Sequence, residues 1–128
     1  MAHEHILIVE DDPHVCQGLS YGLRLYGYQV QCCESAEAAL SRLNQSQVDL
    51  VISDLRLPGM HGLELLEHVG NVSPHTRRIL ITAFGSGQVE KQARGCTDAY
   101  LPKPFSTQEL VSAVKTVLGV SGTGQNRL

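Results

Sequence analysis

The stretch DLVISDLRLPGMHG, Asp49 to Gly62, holds an apolar run, Leu50-Val51-Ile52-Ser53, that ends on the carboxylate of Asp54. A turn follows at once at Leu57-Pro58-Gly59. A short apolar run without polar alternation reads as a strand covered on both faces, which is the mark of a parallel sheet packed between helices. In such sheets polar groups gather beyond the carboxyl ends of the strands. Asp54 is therefore expected at a mouth, not in the core.

Working outward, the same alternation recurs. Ile6-Leu7-Ile8-Val9 is a second doubly covered strand, followed by Glu10-Asp11-Asp12 and Pro13. Asp12 suits an N-cap and Pro13 the first helical position. Val15, Leu19, Leu23 and Tyr26 then fall at helical spacing, and Gly27 can end that helix. Tyr28 to Cys33 reads as strand, and Ser35 caps a helix holding Ala36, Ala39, Leu40 and Leu43. Val48 to Ser53 is the third strand, Gly62 to Val69 a helix with Leu63, Leu66 and Val69 inward, and Asn71 to Arg77 a loop broken by Pro74. Ile79 to Thr82 is a fourth strand, Gln88 to Arg94 a polar helix, and Ala99-Tyr100-Leu101 a fifth strand stopped by Pro102. Ser106 and Glu109 form a capping box for a last helix that Gly119 ends. Five strands alternating with five helices predict an α/β fold, a flavodoxin-like doubly wound parallel sheet of order 2-1-3-4-5. Residues 1–119 make one domain, and 120–128 read as a polar tail or the start of a linker.

The 128 residues suffice for one core, with 42% apolar and 18% charged residues. A net charge of −3 gives no reason to expect nucleic acid or an anionic membrane as partner. No run approaches a transmembrane length, and the polar start Met1-Ala2-His3-Glu4-His5 does not read as a signal peptide, so a cytoplasmic location is expected. Cys16, Cys32, Cys33 and Cys96 form no C-x-x-C pair and read as reduced, structural thiols. The six histidines are scattered.

The fold predicted above would bring Glu10 and Asp11, Asp54, Thr82 and Lys103 to one edge, each at a strand's carboxyl end. Three carboxylates repel unless a cation joins them, and an all-oxygen set suits Mg²⁺. A lysine and a hydroxyl beside such an ion suit a phosphoryl group, and a carboxylate can be its nucleophile.

The runs ILIVEDDP, DLVISDLRLPGMHG, ILITAFG and AYLPKPF, taken in order, resemble the receiver domain of two-component response regulators from about Ile6 to Leu118. The resemblance implies a phosphoacceptor at Asp54 and metal ligation by Glu10, Asp11, Asp54 and the carbonyl of Arg56. It implies phosphoryl contacts from Thr82, Lys103 and the backbone of Arg56 and Ala83, a switch pair of Thr82 and Tyr100, and a cis Lys103-Pro104 bond. The partners it implies are a histidine kinase or histidine phosphotransfer protein, a downstream target or fused output domain, and a weak or phosphorylation-dependent dimer. The chain would then be a signalling domain, not a turnover enzyme. A phosphatase of the haloacid dehalogenase type would need an acid where Arg56 stands, and no Walker or G-x-G-x-x-G motif supports a nucleotide site. The remaining rival is a receiver-like interaction domain that is never phosphorylated.

The chain departs from the pattern in places. Between Thr82 and Tyr100 it is about one residue short, and Gly85, Gly87 and the few apolar anchors of the polar helix predict a mobile or partly unwound segment there. Arg56 and Phe84 occupy positions that in this family flank the hydrolytic water. Neither accepts a proton, so slow autodephosphorylation is expected. His61 replaces a usual acid, with no catalytic consequence expected.

Overall fold

The computed structural model describes residues 4–83 and 87–122, the last three through their backbone alone. Phe84, Gly85 and 123–128 of the expected tail lie outside the described residues. Five strands are present among the described residues, β1 (His5–Val9), β2 (Gln29–Cys33), β3 (Leu50–Asp54), β4 (Arg77–Thr82) and β5 (Ala99–Pro102). They alternate with α1 (Pro13–Arg24), α2 (Ala36–Gln45), α3 (Gly62–Val72), α4 (Gly87–Cys96) and α5 (Thr107–Gly122). The sheet order is β2-β1-β3-β4-β5 and every pair is parallel, as the alternation predicts.

The apolar runs are apolar because both sheet faces are covered. Leu7, Val9, Val51 and Leu80 face a cluster built with α2, α3 and α4, while Ile6, Ile8, Leu50, Ile52, Ile79 and Ile81 face α1 and α5. All five residues of β3 are buried, and these strands supply most of the core's large side chains. Each fully buried aliphatic side chain contributes about 1.5–3 kcal/mol, so this central layer dominates stability.

The caps follow the sequence. The Asp12 side chain accepts from the amides of His14 and Val15, with Pro13 opening α1. Ser35 accepts from the Ala38 amide. The Ser106 amide donates to Glu109 and the Glu109 amide to the Ser106 hydroxyl, closing the capping box at 2.8 and 3.0 Å.

Other expectations are corrected. Val15 and Tyr26 face solvent; the inward stripe of α1 is Cys16, Leu19 and Leu23, and Tyr26 lies past the helix end. α3 runs to Val72, and α5 passes through Gly119, where a Cβ would meet only open space. α4 is a continuous ten-residue helix, anchored by buried Ala93 and Cys96. Cys16 and Cys32 are not reduced thiols but a disulfide, with Cα atoms 6.2 Å apart. The cause is sheet register: Cys32 pairs with Ile8, and Cys16 Sγ packs 3.9 Å from the carbonyl of Ile8. Cys33 and Cys96 are free and buried, as expected.

Gly62 sets how closely α3 approaches the sheet. Its amide donates to the Leu55 carbonyl at 2.7 Å, and a Cβ there would collide with the carbonyl oxygen of Asp54 and lie 2.9 Å from the Leu55 Cα. Backbone cannot yield as a flexible side chain does. Gly62→Ala is expected to destabilise the fold by about 1–3 kcal/mol in denaturant unfolding. An unchanged midpoint would contradict that close approach.

Candidate functional site

Sheet register builds the site. Val9 is level with Ser53, Asp54 with Ile81, and Thr82 with Pro102. The next residue along each strand therefore emerges at the same carboxyl edge, bringing Glu10, Asp54, Thr82 and Lys103 together. The Lys103 amide donates to the Thr82 carbonyl at 2.8 Å, and the Lys103-Pro104 bond is cis.

Asp54 is the last residue of β3, at the sheet's carboxyl edge, and is only 8% exposed. Its walls are the neighbouring strand ends. Lys103 Nζ donates to Asp54 Oδ2 at 3.1 Å and lies 3.7 Å from Glu10 Oε1. The Arg56 amide donates to Asp54 Oδ1 at 3.4 Å, while the Arg56 side chain is exposed. Gly59, at φ +80°, lets the chain turn back toward α3.

Glu10 is buried at 3% exposure. Its Oε2 accepts from the Asp12 amide at 3.2 Å, but its Oε1 is buried without a hydrogen-bond partner. Asp11 is exposed at the rim. Among the described residues no three His, Cys, Asp or Glu side chains gather tightly enough to hold a metal ion by themselves. The donor set nonetheless fits a hard cation. The orphaned Glu10 oxygen, the Asp54 carboxylate and backbone carbonyls are oxygen ligands, and Mg²⁺ ordinarily keeps several of its waters.

Thr82 is fully buried, and Tyr100, half-buried, pairs in register with Leu80. Thr82, Ala83, Gly87, Tyr100, Pro102 and Lys103 line a cavity of about 410 Å³. Gly62 and the orphaned Glu10 oxygen were not singled out by sequence reading. A glycine directly after a turn is the one signal that marks such a close approach.

Burial, then the neighbouring Asp54 carboxyl, push Glu10 up from its ordinary 4.5 to about 7. The Asp12 amide and Lys103 pull it partly back. A carboxyl with a raised folded pKa holds its proton more tightly when folded, so its contribution to stability is full below 4.5 and lost as pH rises through about 7. In metal-free buffer, Glu10→Gln should raise the thermal midpoint at about pH 8 by roughly 2–5 °C, with the gap closing as pH falls. A gap that widens on acidification would contradict this sign.

The response regulator receiver domain family matches residues 6–115. The chain is 40% identical over 111 residues to the response regulator protein FleR of Pseudomonas aeruginosa, covering 85% of this chain and 23% of FleR. It is 31% identical to the phosphate regulon transcriptional regulatory protein PhoB of Escherichia coli, covering 88% of this chain and 51% of PhoB. The chain thus spans about half or less of these relatives' lengths. A CheY-like receiver domain protein from Methanospirillum hungatei superposes with a TM-score of 0.91 at 27% identity, over 96% of this chain and 99% of that one. The signal receiver domain of an HD domain-containing protein from Pseudomonas fluorescens superposes at 0.90 with 32% identity, over 100% and 96%. The chain belongs to the response regulator receiver domain family of two-component systems.

Proposed function

We propose that Asp54 accepts a phosphoryl group from the phosphohistidine of a histidine kinase or histidine phosphotransfer protein. The observation that carries this reading is the buried Asp54 carboxylate at the end of the central strand, held by Lys103 at 3.1 Å. A carboxylate oxygen of Asp54 attacks phosphorus in line with the departing imidazole. The phosphorus–nitrogen bond breaks, and its electron pair leaves with the nitrogen. Lys103, the hydroxyl of Thr82 and the backbone amides of Arg56 and Ala83 receive the phosphoryl oxygens. Glu10, Asp11, Asp54 and the Arg56 carbonyl would hold Mg²⁺, which supplies charge neutralisation for the transferring group.

The same reading gives a switch. Drawing the Thr82 hydroxyl toward the phosphoryl group frees space in the cavity that Tyr100 also lines. Contacts made only in the phosphorylated state shift the population of Tyr100, and with it the face formed by α4, β5 and α5. The recipient is a protein target or a fused output domain, and the domain acts in the cytoplasm, singly or as a phosphorylation-dependent dimer. The similarity to response regulators along nearly the whole chain favours this reading over a silent interaction domain.

With Mg²⁺ and acetyl phosphate, intact mass is expected to rise by one phosphoryl group, and not with EDTA or in Asp54→Asn. Uptake by Asp54→Asn would overturn the assignment. The exposed Arg56 side chain offers no proton acceptor for a hydrolytic water. Arg56→Asn should therefore shorten the phosphoryl lifetime by about tenfold. An unchanged decay would remove Arg56 from the account.

A further inference from the structure

The acid loop is bracketed by the two cysteines of the disulfide. On one side the Cys16 amide donates to the Asp12 carbonyl at 3.0 Å, and the Asp12 amide donates to Glu10 Oε2 at 3.2 Å. On the other side the Glu10 amide donates to the Cys33 carbonyl at 3.0 Å, one residue from Cys32. The Cys16–Cys32 bond closes this path into a ring that encloses Glu10, Asp11 and Asp12. Opening the bond removes the ring's covalent cross-link and leaves hydrogen bonds and the packing of β1 and α1 to hold the loop.

The two cysteines differ in exposure. Cys32 is exposed on edge strand β2, whereas Cys16 is 2% exposed beneath it. A disulfide that joins an exposed edge-strand residue to a buried one has the form of a site that a small-molecule thiol or disulfide can exchange with from the Cys32 side.

We propose that Cys16 and Cys32 form a redox-modifiable clamp on the acid loop, closed by a small-molecule disulfide. The Cys32 thiolate attacks one sulfur of that disulfide, forming a mixed disulfide and releasing one thiol. The Cys16 thiolate then attacks the Cys32 sulfur and releases the second thiol. Two cysteine thiols are oxidised, one external disulfide is reduced to two thiols, and two protons stay on the released thiols. The closed clamp preorganises Glu10 and Asp11 and the open clamp frees them. Its regulatory meaning rests on reading these acids as the magnesium site, but the clamp can be measured without phosphorylation.

The test equilibrates the full chain with oxidised or reduced glutathione, counts free thiols by alkylation and mass, and compares amide exchange in both forms and in Cys32→Ser. Oxidised protein should lose two alkylatable thiols and slow exchange over residues 10–16 by at least about tenfold relative to the reduced form. β5 should change far less, and Cys32→Ser should behave as the reduced form under both conditions. A persistent mixed disulfide, failure to lose the two thiols, or equal slowing in β5 would overturn the clamp. Magnesium titration of both forms separates the two readings. Tighter binding by the oxidised form supports both, while loop-confined slowing with no magnesium binding in either form sinks the metal site and leaves the clamp standing.

Discussion

One ammonium group faces two buried carboxylates at the carboxyl edge of the sheet. Lys103 Nζ stands 3.1 Å from Asp54 and 3.7 Å from Glu10, and neither acid is more than 8% exposed. A single lysine can balance only one of them, and Glu10, raised to about 7, relieves the crowding by holding its proton more tightly than a solvated carboxyl. Burial first, and then the neighbouring Asp54 carboxyl, raise the Glu10 pKa, and Glu10 Oε1 is left without a hydrogen-bond partner. Under the proposed function, a divalent cation would offset the acids and leave Lys103 for the phosphoryl oxygens.

The arrangement depends on backbone register more than on side-chain packing. Parallel pairing brings Val9, Ser53 and Cys33 level, so the residues beyond them meet at one edge. The Lys103 amide hangs from the Thr82 carbonyl, tying the lysine to the strand that carries the hydroxyl. Gly62 lets α3 close against the backbone of Asp54. A one-residue slip in any strand would turn these groups to the wrong face.

Much of this was legible in the sequence. Short unbroken aliphatic runs alternating with amphipathic helical stretches fit a helix-sandwiched sheet, and the Asp12, Ser35 and Ser106 caps marked where helices begin. Strand order and the convergence of Glu10, Asp54, Thr82 and Lys103 followed. The disulfide did not, because its cysteines lie sixteen positions apart and only the pairing of Cys32 with Ile8 brings them together. The inward face of α1 shifted by one residue, from Val15 to Cys16, because periodicity fixes a stripe's spacing better than its centre. Asp54 proved buried because its walls come from other strands, which a local reading cannot weigh. The length of α4 was underestimated because its anchors, Ala93 and Cys96, are small and read as weak.

The most direct test of the central claim is a titration with beryllofluoride and Mg²⁺, followed by backbone amide resonances. Beryllofluoride resembles a phosphoryl group on a carboxylate and needs no partner protein. Saturable shifts are expected at Asp54, Thr82, Ala83 and Lys103, accompanied by Tyr100, and none of these in Asp54→Asn. Shifts confined to surface acids, or unchanged resonances at Thr82 and Tyr100 when Asp54 responds, would contradict that claim.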